Sequence, residues 1–128
     1  MMLIHVGVPK TGTTFLQTDI FPKARGIRYL GKLYNGDKYA DSDLLELINS
    51  ITSHDSINFK SEFQPTYFGY LEASQNGSVP LISDEAFTNG VIDRGVVCDR
   101  LAEFFPRSKI LIVLREQFAA LQSMYAFL

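Results

Sequence analysis

The sequence predicts an α/β fold in which a mostly parallel sheet is covered by helices on both faces. Three observations carry that prediction. Short apolar runs of strand length alternate with segments of helical periodicity. The strand-like runs are apolar throughout, as expected of strands buried on both sides. Several of them end in polar residues able to do chemistry, which a parallel arrangement would gather beyond the carboxyl ends of the strands. At 128 residues, residues 1–128 are read as a single domain, and the length argues against two.

Met2 to Val6 is an apolar run leading into Gly-Val-Pro-Lys-Thr-Gly, a strand feeding a tight loop. From Thr13 the pattern turns helical, with Phe15, Leu16 and Ile20 on one side, Thr13 or Thr14 in the first turn, and Pro22 as the stop. Ile27 to Leu30 reads as a second strand between Gly26 and Gly31, and Tyr34-Asn35-Gly36-Asp37 as an exposed turn. Ser42 or Asp43 caps a helix whose Leu44, Leu45, Leu47, Ile48 and Ile51 serve packing. Within the aromatic stretch Phe59 to Leu71, a helix after Pro65 turns Phe68 and Leu71 inward.

Asn76-Gly77 marks a turn before Val79 to Ser83, a buried strand with Asp84 and Glu85 at its end. Asp93 caps a helix carrying Val96, Val97, Leu101, Phe104 and Phe105, closed by Pro106. Lys109 to Leu114 is then another buried strand, with Arg115 at its end. A last helix carries Phe118, Leu121, Gln122, Met124 and Tyr125 and reaches Leu128 without a cap, which leads us to expect a fold incomplete at its C-terminus.

Composition removes several function classes. Twelve Lys and Arg against fourteen Asp and Glu leave a net charge of −2, so there is no basic field for general nucleic-acid binding and any anion site is local. The single cysteine, Cys98, has no internal disulfide partner, and beside Val96 and Val97 it is expected to be a buried, inert thiol. His5 and His54 give no spacing for a structural zinc site; His5 reads as a satisfied core imidazole. The N-terminal residues lack a charged leader and a long apolar run, so no membrane role is expected and the protein is read as cytoplasmic.

The chemistry concentrates in two places. Gly7-Val-Pro-Lys-Thr-Gly-Thr-Thr14 offers successive backbone N–H groups, two hydroxyls, a helix N-terminus and the mobile charge of Lys10, all suited to a phosphate. Against the pattern G-x-x-x-x-G-K-[ST], Gly7 and Gly12 match, but Thr13 stands where the lysine belongs and Lys10 lies inside the loop. Farther on, Arg115 at a strand end and Ser123 on the following helix can both donate to a second phosphate.

Pro9-Lys10-Thr11-Gly12-Thr13-Thr14 resembles the 5′-phosphosulfate loop of sulfotransferases that use 3′-phosphoadenosine 5′-phosphosulfate (PAPS), and Lys109-Ile-Leu-Ile-Val-Leu-Arg115 with Ser123 and Tyr125 resembles their 3′-phosphate motif. Where many relatives carry a proline soon after the arginine, this chain has Glu116-Gln117-Phe118.

The resemblance implies a P-loop-type, three-layer fold of which this chain is the N-terminal part, with the two motifs near 7–14 and 109–125. It implies PAPS as sulfuryl donor, 3′-phosphoadenosine 5′-phosphate (PAP) as product, no metal, and a small-molecule or carbohydrate acceptor attacked through a hydroxyl or amine. Lys10, Thr11, Gly12, Thr13, Thr14, Arg115 and Ser123 would bind the nucleotide. Lys10 would also offset charge on the bridging oxygen. Glu85 would be the base, with Asp84 as the alternative carboxylate.

Two other classes compete. In a nucleoside-triphosphate-binding P-loop protein or kinase, Asp84 would position magnesium; in a non-catalytic nucleotide-binding module, the loop would hold a nucleotide for structure alone. Taken singly, Arg115 would be a surface ion-pair partner of Glu116 or Glu103, and Glu85 a cap or solvated carboxylate. The ordered occurrence of both motifs favours the site.

Overall fold

A computed structural model describes residues 1–33, 38–39, 42–53, 59 and 77–126. Its centre is a four-stranded, wholly parallel sheet in the order β2-β5-β1-β6, built from β1 (Met2–Val6), β2 (Ile27–Tyr29), β5 (Val79–Asp84) and β6 (Ser108–Ile112). β3 (Lys32–Leu33) and β4 (Lys38–Tyr39) form a separate antiparallel pair. The helices are α1 (Thr13–Phe15), continued by a π turn over Leu16–Ile20 and a 3-10 turn over Phe21–Lys23, then α2 (Ser42–Ser53), α3 (Ala86–Asn89), α4 (Arg94–Phe104) and α5 (Gln117–Tyr125). The α/β class with a parallel sheet flanked by helices is thus the one the alternating pattern predicts. The Tyr34 to Asp37 turn, the helix after Pro65 and His54 lie outside the described residues.

β1 lies between β5 and β6. Val6 is in register with both Asp84 and Ile112, so the chain leaves all three strands at the same edge of the sheet. On one face Met2, Ile4, Val6 and Ile82 meet Leu44, Leu47, Ile48 and Ile51 of α2 and Val97, Leu101 and Phe104 of α4. The α2 spacing follows one helical stripe, which is why its inward face was legible. Asp93 caps α4 by accepting from the Gly95 amide at 2.7 Å. The buried guanidinium of Arg100 donates to the Ser50 and Ile51 carbonyls, each at 3.1 Å, and lies 4.1 Å from the Phe59 ring centroid, fastening α4 to the end of α2.

The other face corrects the sequence reading. The helical segment after the loop turns Thr13, Gln17 and Phe21 inward, while Phe15 and Ile20 are exposed. Gln17 has a buried partner on β5, so its polar head is satisfied there. Periodicity weighs hydrophobicity and cannot see that partner.

Two further expectations are corrected. β6 is exposed: its Ile110, Leu111 and Ile112 and the following Leu114 all stand open. Cys98 is exposed as well, and so is its neighbour Val96, because the face of α4 that meets the core runs through Val97, Arg100, Leu101 and Phe104. Among the described residues, no helix is long and apolar enough to cross a membrane.

Candidate functional site

The parallel sheet brings the chemistry-bearing segments to one edge. The loop from Gly7 to Gly12 follows β1, Asp84 ends β5 with Glu85 next in the chain, and Arg115 follows β6. Ligands of open parallel sheets bind beyond this edge. The loop is anchored at its entry by the Gly7 amide donating to the Asp84 carbonyl at 3.1 Å and by the Thr88 hydroxyl donating to the Gly7 carbonyl. Thr88, on α3, carries no sequence signal for this role.

Inside the loop, the Thr11 hydroxyl donates to the Val8 carbonyl at 2.7 Å, and the Thr13 hydroxyl reaches the same oxygen at 3.4 Å. The Lys10 carbonyl accepts from the Arg115 guanidinium at 2.9 Å. These carbonyls are therefore turned toward protein donors. Lys10 has a left-handed φ of 65° and Gly12 one of 79°. Left-handed residues in a turn create the concave runs of N–H groups that receive anions, and α1 begins directly after Gly12. For Lys10 that backbone is costly because it carries a Cβ, and such strain is concentrated at functional sites.

Gly7 explains how the two strand ends come so close. A Cβ built there would stand 2.8 Å from Glu85 Cγ, 2.9 Å from Thr13 Cγ2 and 3.2 Å from Glu85 Cα. Only a residue without a side chain lets the Glu85 stem and Thr13 meet across the loop entry. Sequence reading takes Gly7 as part of a phosphate loop; the structure adds that it makes room for the Glu85 stem.

The two acidic candidates differ. Asp84 is buried, and its Oδ1 accepts from the Ala86 amide at 2.9 Å, starting α3. Glu85 is half-buried with its stem along the loop. Arg115 is exposed and bonded to the loop, so the two sequence motifs touch. Glu116 does not pair with it in the way the surface-ion-pair reading supposes: its carboxylate caps α5, accepting from the Phe118 and Ala119 amides at 2.9 and 2.8 Å. Those amide bonds hold the Glu116 carboxyl below the usual range. Ser123 lies farther along α5, half-buried, and Thr14 is exposed in the first turn of α1.

A buried polar cluster behind the loop escaped sequence reading. His5, Gln17 and Ser83 lie together: His5 Nδ1 is 2.7 Å from Ser83 Oγ, and Gln17 Nε2 donates to the same Oγ at 2.8 Å. His5 is thus satisfied on one nitrogen only, since Nε2 has no partner among the described residues. Among those residues, no group of three or more His, Cys, Asp or Glu side chains is arranged to hold a metal.

Fold and site together define an α/β protein with a glycine-bordered, helix-opening loop on the carboxyl edge of a parallel sheet, faced by a glutamate and an arginine. No family model, curated protein or solved structure matches the chain.

Proposed function

We propose that the chain is the nucleotide-binding part of a cytoplasmic sulfotransferase of P-loop-type fold, which moves a sulfuryl group from PAPS to a hydroxyl or amine of a small-molecule or carbohydrate acceptor. The observation that supports this reading is the bond from Arg115 to the Lys10 carbonyl, which joins the segments that resemble the two sulfotransferase motifs at one edge of the sheet. In this reading the loop would offer N–H groups and the Lys10 ammonium to one phosphate of the nucleotide, and Arg115 and Ser123 would donate to the other.

PAPS supplies an activated sulfuryl group on a good leaving phosphate. Glu85 takes the proton of the acceptor hydroxyl as that oxygen bonds to sulfur. Lys10 offsets the negative charge left on the phosphate oxygen as the old S–O bond breaks. Thr11, Gly12, Thr13 and Thr14 hold the 5′ end in line for displacement. Asp84 suits the base role less well, because its Oδ1 already starts α3.

Calorimetric titration with PAP tests the reading, with adenosine 5′-monophosphate as control and with and without magnesium. Metal-independent binding that needs the 3′-phosphate and weakens about tenfold or more in Lys10→Ala and in Arg115→Ala is expected, since each removes a charged donor. Magnesium-dependent ATP or GTP binding, lost in Asp84→Asn and indifferent to Thr13→Ala, would replace it with the triphosphate reading. Tight PAP binding with no sulfation of any acceptor by the full-length protein would leave a non-catalytic module.

A further inference from the structure

The buried cluster behind the loop has a cost that packing does not explain. His5, Gln17 and Ser83 are at most 1% exposed and belong to three different elements. Gln17 donates to Ser83 Oγ, which also shares a hydrogen bond with His5 Nδ1. The other ring nitrogen, Nε2, has no hydrogen-bond partner among the described residues, while the ring stands edge-to-face to Phe21 at 5.1 Å. A buried donor or acceptor without a partner costs about 1–3 kcal/mol. An apolar side chain, like those of Met2, Ile4 and Val6 on the same strand, would avoid that cost.

What the cluster does is geometric. His5 stands just before the loop and Gln17 just after it, so the two flank residues 7–14 in the chain. Both bond to one hydroxyl on β5, adjacent to Asp84 and Glu85. The entry of the loop, the helix it opens and the carboxylate end of β5 therefore meet at a single oxygen. Small displacements of this point would move the loop relative to Glu85, whose stem already lies against Gly7.

We propose that His5 is a positioning residue which, through Ser83 and with Gln17, sets the 7–14 loop against the carboxylate end of β5. Its consequence for nucleotide affinity rests on the sulfotransferase reading; its consequence for loop order does not.

The full chain is compared with His5→Asn, which keeps a hydrogen-bonding atom near the Nδ1 position, with His5→Leu, which keeps bulk alone, and with Gln17→Leu. Amide exchange across residues 7–14, the thermal midpoint and PAP affinity are read for each. His5→Leu and Gln17→Leu are expected to speed loop exchange about tenfold and to weaken PAP about tenfold, the scale of one buried hydrogen bond, beyond what any fall in the midpoint accounts for. His5→Asn should stay within about threefold of wild type on both counts, as a partial mimic of that bond. Loop exchange that is unchanged in His5→Leu, or that rises only in step with a falling midpoint in all three variants, would overturn the proposal. Should His5→Leu fail to fold, Ser83→Ala makes the same test from the other side of the bond. Wild-type protein that ignores PAP while the loop responds to His5→Leu and is rescued by His5→Asn would uphold the positioning role and sink the sulfotransferase reading.

Discussion

β1 has a neighbour on each side, and the two could hardly be treated more differently. β5 is enclosed: Leu81, Ile82, Ser83 and Asp84 are all buried. β6 carries an equally apolar run, yet Ile110 and Ile112 are each 51% exposed, and a groove of about 500 Å3 opens between β6 and α4, lined in part by Val6, Leu101, Phe105, Ile110 and Ile112. The reason lies in the helices. α2 and α4 lay their apolar stripes over β1 and β5, and the described residues offer nothing comparable to β6. An apolar strand records a demand for burial; the topology decides whether a helix answers it.

The register gives this comparison its sharpest test, because Ile4 and Ile110 are partners on one face of adjacent strands. Ile4 is fully buried and Ile110 half exposed. In urea denaturation Ile4→Ala should cost about 2–5 kcal/mol, the range for deleting a buried branched side chain. Ile110→Ala should cost less than about 1 kcal/mol. Equal losses would break the comparison by showing that the β6 face is covered in solution. Next in size is Gly7→Ala, on the enclosed side, where the new methyl meets Glu85 and Thr13 at 2.8 and 2.9 Å. Overpacking of that kind costs about 1–3 kcal/mol. Exchange at the loop amides should rise with it, whereas Val113→Ala, next to the exposed strand, should leave the loop as it is.

The same contrast explains what the sequence could convey. The positions of β1, β5, α2 and α4 were legible because propensity, periodicity and capping agree there: Leu44, Leu47, Ile48 and Ile51 form one stripe, and Asp93 caps as its position predicts. The loop and the two strand-end candidates were legible as motifs, and the parallel register gathers them at one edge. Three things were not legible. The exposure of β6 and Cys98 depends on which neighbours reach them, not on local composition. The inward turn of Gln17 depends on a hydroxyl 66 residues away on β5. The closeness of Glu85 to Gly7 depends on a missing Cβ, which sequence records only as a glycine.

A smaller effect follows from titration on the enclosed side. Burial lowers the His5 pKa below its ordinary 6.5. The native state therefore holds the imidazole neutral where the unfolded chain would take a proton. His5 causes no loss above that ordinary value; stability falls as pH drops below it toward the folded pKa, then levels off. The slope stays under the one-proton limit of about 1.4 kcal/mol per pH unit. His5→Asn should flatten this part of the stability profile relative to wild type in urea titrations from neutral to mildly acidic pH. An unchanged profile would mean that the ring is hydrated in solution.

The exposed side supplies the weakest titration and the opposite chemistry. The Glu116 carboxyl is held down not by enclosure but by the Ala119 and Phe118 amides at the start of α5, in that order of effect. Its folded pKa lies below the ordinary 4.5, so its contribution is complete above that value and is lost as pH falls through the folded pKa. Being fully solvated, the pair of bonds is worth little to the molecule as a whole, but it acts on a helix with few other supports. Residue-resolved protection factors at Phe118 and Ala119, taken relative to the intrinsic exchange rate at each pH, should fall as the protein is acidified below pH 4.5, while those in β5 hold. In Glu116→Gln the fully charged cap is gone at every pH, so those amides should be less protected than in wild type at pH 6 and their protection should change little on acidification. If they instead stay protected at low pH in both proteins, α5 is held by contacts on the face described as open, and the asymmetry between the two sides of β1 fails at its own edge.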